Sequence, residues 1–117
     1  MKRISGNTNI IIQKAECQEN EIGEIVQQWS DIATPRGYLD MASGTSSHRT
    51  YNAKVIESDY VFICNYDELM DIFPSPISKT EGYRVLDRAD NIYEIKFIDN
   101  PMGLGYQFEI YLKFVGN

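Results

Sequence analysis

Residues Ile92–Asp99 read IYEIKFID and residues Tyr106–Phe114 read YQFEIYLKF. In both segments large apolar side chains recur at alternate positions, which is the period of a β-strand. The segment 100–105, NPMGLG, lies between them and is rich in turn-forming residues. Asp90–Asn91, another turn-forming pair, separates the first segment from Arg84–Arg88. These residues predict an antiparallel meander of three strands at the end of the chain.

Further strands are predicted upstream by the same alternation. Thr8–Glu16 and Glu24–Ala33 flank a polar loop that ends in glycine, which is typical of a hairpin. Tyr38–Ala42 alternates weakly and is a further candidate. Tyr60–Tyr66 is apolar on both faces, which is typical of a central strand.

Two segments depart from the strand pattern. Ser47–Ile56 has apolar spacing that favours one short helix, and it follows a small, polar stretch. Asp67–Gly82 contains Pro74 and Pro76 and predicts one long loop, with a short helical turn at 67–73. The fold class is therefore mainly β: a small antiparallel barrel-like domain of six or seven strands with one helix, because an open sheet of this kind would leave its edges unpaired.

The alternating faces also predict the core. Apolar positions that share a face within each strand are expected to pack together. The candidate core residues are Ile10, Ile12, Trp29, Phe62, Cys64, Tyr93, Ile95, Phe97, Phe108, Ile110 and Leu112.

Length and composition exclude several classes of protein. The chain has 117 residues, which is the size of one domain, and we expect a single domain over 1–117. It is 43% hydrophobic and 24% charged, which excludes a disordered chain, and no apolar run is long enough for a membrane helix. The net charge of −6 argues against a protein that grips nucleic acid.

The residues of catalytic and binding sites are scarce. His48 is the only histidine, and no His/Cys cluster has zinc spacing. Asp67, Glu68 and Asp71 lack the spacing and the glycine of a calcium loop. Without an export signal we expect both cysteines to be free thiols. We therefore predict no enzyme, no metal and no cofactor.

The order of these features resembles the phage head–tail joining family, also described as head–tail adaptor or head closure proteins. That family opens on an I-x-I-x-K strand, a loop with glycine and a W-x-D-x-A-T strand, and it closes on a Y-E-I-x-x-I-x-N-P meander. The matching stretches here are IIIQK at 10–14, Asn20 and Gly23 in the loop, QWSDIAT at 28–34, Gly44 before the helical stretch, RVL at 84–86, IYEI at 92–95, IDNP at 98–101 and EI at 109–110.

The resemblance implies a structural protein of a tailed phage or prophage. Such a protein forms a ring beneath the portal, closes the DNA-filled head and joins it to the tail. Its partners would be portal or adaptor proteins, tail proteins and other copies of itself, and double-stranded DNA would pass through the ring without specific binding. The protein would be found in the virion, and in the host cytoplasm during assembly, and it would not contact a membrane.

Alternatives to this function remain open. Residues 35–39 replace the family's W-A-x-I stretch, and the 67–82 segment is longer than usual. These departures leave a tail-completion role as an alternative. A small β-barrel that binds a protein or a small ligand is the other, and a gene lying between those of a portal and a tail-tube protein would favour the connector.

One segment is the candidate contact site. Residues 59–73 contain four acids and no lysine or arginine. A channel for DNA benefits from acidic walls, because like charges keep the phosphates from binding. We therefore predict that Asp67, Glu68, Asp71 and Phe73 belong to a loop that faces the channel or docks on a neighbour.

Overall fold

The computed structural model describes residues 5–41, 58–73, 80–101 and 104–116. The strands, in chain order, are β1 Thr8–Asn9, β2 Ile11–Glu19, β3 Ile25–Ala33, β4 Arg36–Met41, β5 Tyr60–Asn65, β6 Tyr83–Leu86, β7 Ile92–Asp99 and β8 Gln107–Gly116. A 3₁₀ turn, Tyr66–Glu68, follows β5. The predicted helix at 47–56 and the middle of the predicted long loop lie outside the described residues.

The eight strands form one curled antiparallel sheet in the order β1-β4-β5-β8-β7-β6-β2-β3. The chain links the two ends of this strand order directly, because only Ile10 separates β1, at one end, from β2, near the other. β1 pairs with β4 at one end of the order, and β2 pairs with β6 near the other. The mainly β, antiparallel, barrel-like fold class is therefore confirmed.

The strand count exceeds the predicted six or seven because the first predicted strand is divided in two. The first breaks at Ile10 into β1 and β2, and Ile10 N–H donates to the Pro35 carbonyl, 3.2 Å away. The second predicted strand ends as β3, and the chain continues past Pro35 as β4, so Tyr38 lies within β4 rather than at its start.

The core fills the inside of this curled sheet. Its members come from five of the strands, from Ile10 between β1 and β2, and from the segment after the 3₁₀ turn. The buried apolar side chains are Ile10, Ile12, Phe62, Cys64, Leu69, Phe73, Val85, Tyr93, Ile95, Ile98, Phe108, Ile110 and Leu112. Nine of the eleven predicted core residues are among them.

The two exceptions are Trp29 and Phe97, which are only partly buried. The register of β7 against β8 shifts between Ile95 and Phe97, so the alternation of faces is interrupted there. As a result Ile98, and not Phe97, points into the core. Trp29 lies on a part of β3 that extends past the barrel, where the Arg84 guanidinium lies over its ring.

A carboxylate organises the turn between β6 and β7. Asp87 accepts hydrogen bonds from Ala89 N–H at 2.8 Å, from the Asn91 backbone at 3.0 Å and side chain at 2.9 Å, and from the Tyr93 hydroxyl at 2.8 Å. Burial by itself raises the pKa of Asp87, but these hydrogen bonds outweigh it and lower the pKa below its ordinary value of 3.8. The ionised form is therefore the one that stabilises the turn.

Replacing Asp87 with asparagine is expected to lower the free energy of unfolding at neutral pH by about 1–2 kcal/mol, because the buried Tyr93 hydroxyl loses its charged acceptor. When folding lowers the pKa of a carboxyl group, the group stabilises the folded state at pH values above its pKa in the unfolded chain. This stabilisation is lost as the pH falls through the pKa of the folded state. The difference in the free energy of unfolding between D87N and the native chain should therefore shrink as the pH falls below 3.8, the ordinary pKa of an aspartate. Urea unfolding across this pH range measures it.

The matched control is Asp90→Asn in the same turn. Asp90 is exposed and has a φ of 63° that asparagine also tolerates. D90N removes the same charge and is expected to leave stability nearly unchanged. An equal loss in both variants would contradict the role given to Asp87.

Candidate functional site

A hairpin formed by β2 and β3 projects from the barrel. β2 pairs with β6 only as far as Lys14 opposite Tyr83, whereas its pairing with β3 continues to Glu19 opposite Ile25. Beyond Lys14 each strand therefore has only the other as a neighbour among the described residues. The molecule is correspondingly elongated, with extents of 52 × 28 × 27 Å. We call residues 15–30 the arm.

A row of polar contacts holds the base of the arm to the barrel. Arg84 Nε donates to Gln13 Oε1 at 2.7 Å, and Gln13 Nε2 donates to Asp31 Oδ1 at 2.7 Å. The Arg84 guanidinium also lies over the Trp29 ring, 4.2 Å from its centroid. These contacts connect β6, β2 and β3 in sequence, so the direction of the arm is set by side chains from three strands.

The tip of the arm is an ordered turn. The Asn20 side-chain oxygen accepts from Ile22 N–H at 3.1 Å and from Glu24 N–H at 2.8 Å, and Asn20 N–H donates to the Glu24 carbonyl at 2.8 Å. Gly23 has a φ of +84°, which favours glycine. A single asparagine, Asn20, thus makes the hydrogen bonds that hold the turn in this conformation.

This ordered turn presents apolar side chains to solvent. Ile22 is 77% exposed and Ile25 is 72% exposed. Around them the arm carries four glutamates and no lysine or arginine, the acids being Glu16, Glu19, Glu21 and Glu24. Exposed aliphatic side chains that lie close together on a surface are typical of a protein contact.

The predicted acidic loop begins immediately after β5. Asp67, Glu68 and Asp71 are all exposed, on the 3₁₀ turn and the turn after it. Phe73, which was grouped with them as a docking residue, is buried instead and packs edge-on against Tyr83 with ring centroids 5.5 Å apart. Phe73 therefore anchors the segment to the core and is not a contact residue.

Aromatic stacking anchors the other side of this segment. Tyr66 stacks on Phe108 with ring centroids 4.7 Å apart, and its N–H donates to the Tyr106 carbonyl at 3.1 Å. Exposed apolar side chains border the acids here: Met70 on the turn, and Leu104 and Tyr106 before β8. We call this surface, Asp67 to Asp71 with Tyr106, the acidic end of the barrel.

The acids of this end act on a buried thiol. Burial, together with the negative charges of Glu68 and Asp67, raises the pKa of Cys64 to about 12. The thiol is therefore protonated at neutral pH and acts as a small core residue. Cys17, on the arm, is exposed and free.

The described residues offer little that resembles a reaction centre. No group of three His, Cys, Asp or Glu side chains within them could hold a metal ion. A shallow pocket of about 360 Å³ lies between the start of β6 and the middle of β7, where Lys96 pairs with Glu94 at 3.4 Å. His48 lies outside the described residues. None of the described helical segments is long and apolar enough to span a bilayer.

Comparison with known families decides the class of this molecule. Residues 1–112 match the family model of the phage head completion protein. The chain belongs to the phage head completion protein family. No curated protein matches it. The resemblance drawn from the strand and turn motifs is thus confirmed at the level of the family.

This head completion protein is therefore a structural component of a phage virion that takes part in head assembly and contacts other virion proteins. Of its candidate contact surfaces, the sequence pointed to the acidic end through a local run of acids. The arm was missed. The sequence feature that marks the arm is the pair of isoleucines, Ile22 and Ile25, beside a polar turn. Their exposure becomes evident only from the structure, in which the pairing of β2 with β6 ends at Lys14.

Proposed function

We propose that the protein forms a ring beneath the portal, where it closes the DNA-filled head and joins it to the tail. The family match over residues 1–112 is the observation that carries this proposal. The role is structural and involves no catalysis.

The shape of the molecule supports a ring subunit. Each subunit of a closed ring uses two different surfaces, one for each neighbour, and further surfaces for the layers above and below. Among the described residues, exposed apolar side chains lie on the arm, at the acidic end, and at the opposite end of the barrel, where Met41, Phe114 and Val115 lie. Exposed apolar groups in different parts of the surface can serve as the separate contacts that a ring subunit needs.

Within this ring we propose that the acidic end faces the DNA channel. Asp67, Glu68 and Asp71 are exposed on a segment that Leu69 and Phe73 anchor in the core, so their charges are held in place. Fixed negative charge repels phosphate and offers DNA no cation to bind. DNA would slide past such a surface during packaging and ejection.

Electron microscopy of the protein mixed with portal particles tests the ring. Added density on the portal is the expected result. Density only on isolated tails would favour the tail-completion role, and no added density on either would count against a connector. The free protein is not informative here, because ring formation can require the partner as a platform.

The triple variant D67N/E68Q/D71N tests the acidic end. We expect it to fold normally, since all three side chains are exposed. It should lower the yield of closed heads that retain their DNA roughly tenfold, because DNA can bind to a channel wall without fixed negative charge and stall there. Counting DNA-filled heads that survive nuclease treatment measures this. The matched control D40N/E81Q/D90N removes the same charge from exposed positions elsewhere. Equal retention in both triples would refute the channel role.

A further inference from the structure

The outer edge of β3 is the feature that the preceding sections leave unexplained. β3 ends the strand order, so among the described residues it has β2 as its only neighbour. Hydrogen bonding in an antiparallel pair alternates inward and outward along each strand. Asn20 bonds to Glu24 within the hairpin, whereas Ala15 N–H points away from β3 and donates to the Gly82 carbonyl at 2.7 Å. The same alternation directs the backbone groups of Ile25, Gln27 and Trp29 outward.

This edge lacks the devices that normally protect an exposed strand. Proteins block such edges with charges, proline or bulges, because unpaired backbone groups are a template for another strand. Residues 25–30, IVQQWS, contain no charge, proline or glycine, and the register shift between β2 and β3 lies at the barrel end of the hairpin, between Ile12 and Gln13. In contrast, the far edge of β2 carries Glu16 and Glu19. Among the described residues, the β3 edge is therefore the edge of the arm that lacks both a neighbouring strand and a protecting charge.

We propose that the β3 edge accepts an extended, basic segment of another virion protein by strand addition. Main-chain hydrogen bonds to Ile25, Gln27 and Trp29 would supply the affinity. The four glutamates of the arm favour lysine or arginine in the incoming segment. Ile25 and Trp29 lie on the same face of β3, so the segment would carry apolar residues at alternate positions.

A second copy of this chain fits the edge less well. Pairing β3 with β3 would bring two arms, each with four glutamates and no base, side by side. Such a contact would also be two-fold, whereas a ring needs head-to-tail contacts. The proposed occupant is therefore a different protein, and in this respect the inference rests on the proposed place of the protein in the particle.

Amide hydrogen exchange of the full chain, free and within purified phage particles, tests the edge directly. We expect the amides of Ile25, Gln27 and Trp29 to exchange roughly a hundredfold more slowly in particles, because paired edge amides are protected. Unchanged exchange at these amides in particles that contain the protein would overturn the inference. Absence of the protein from particles would instead refute the proposed function, so the two failures are distinguishable.

Substitutions at Gln27 give a second test. Gln27→Pro removes an outward N–H that the hairpin does not use, and Gln27→Lys keeps that N–H but adds a charge that repels a basic strand. Both are expected to lower incorporation into particles roughly tenfold. Gln27→Thr, which keeps the donor and the strand propensity, is the control and should assemble normally. The emission of Trp29, the only tryptophan, reports whether the base of the arm is intact.

The identity of the occupant is tested by a photoreactive benzoylphenylalanine introduced at position 27. A cross-link to a lysine- or arginine-containing segment of another virion protein supports the inference. A cross-link to a second copy of this chain, or normal assembly of both Q27P and Q27K, overturns it.

Discussion

Replacing Gly37 with alanine is expected to lower the free energy of unfolding by about 3 kcal/mol, the upper end of the usual range for overpacking a core. Gly37 is buried in β4, between Thr8 of β1 and Cys64 of β5. A methyl group here would overlap the Ile63 carbonyl oxygen and would lie 2.9 Å from the Phe62 ring. Because the nearest atoms belong to the backbone of Ile63, β4 and β5 must move apart to make room for the methyl group.

Thermal unfolding measures this effect, and a decrease in Tm of about 10 °C corresponds to such a loss in a chain of this size. Gly82→Ala is the control. Gly82 has a φ of +87° but no atom within 4 Å of a new methyl group, so it tests backbone strain without crowding. G82A is expected to cost only about 1 kcal/mol. If G37A unfolds at the native temperature, then β1, β4 and β5 are not as closely packed as described here.

Replacing Ile22 with aspartate is expected to reduce incorporation into phage particles by at least roughly tenfold, the effect of losing a central apolar contact residue. Ile22 is 77% exposed at the tip of the arm, and the hydrogen bonds of the turn come from Asn20. The change should therefore leave folding unaffected while placing a charge in the contact. Quantifying the protein in purified particles measures the loss.

Two controls separate the apolar contact from charge and from folding. Ile22→Val keeps an aliphatic side chain at the tip and should assemble normally. Gln18→Asp adds the same charge at an exposed position on β2 of the arm. Normal incorporation of I22D, or an equal defect in Q18D, would show that the tip is not a contact.

Prediction from the sequence succeeded where the signal was local. The meander of β6, β7 and β8 follows from alternation and turn residues within about thirty positions, and its strands occur close to the predicted bounds. Prediction was wrong for Phe97, because a single shift in register between Ile95 and Phe97 exchanges the two faces of β7. An irregularity of one residue leaves no mark in the pattern of apolar positions.

The candidate site divides in the same way. The run of acids after β5 identified Asp67, Glu68 and Asp71 as exposed charges, but Phe73 was assigned to the same surface although it packs on Tyr83 in the core. Tyr83, the residue on which Phe73 packs, lies ten positions further along the chain, at the start of β6. Such a contact depends on how the segment folds back, which side-chain types alone do not specify.

The sequence by itself determined the strands, the antiparallel class and the family, because these depend on alternation, turn chemistry and the order of short motifs along the chain. Only the tertiary structure decided which surfaces are available to partners. The arm exists because β6 stops pairing at Lys14 while β3 continues to Ile25. Where one strand ends relative to its neighbours is a property of the closed sheet, and it is this property that exposes Ile22 and leaves the edge of β3 open.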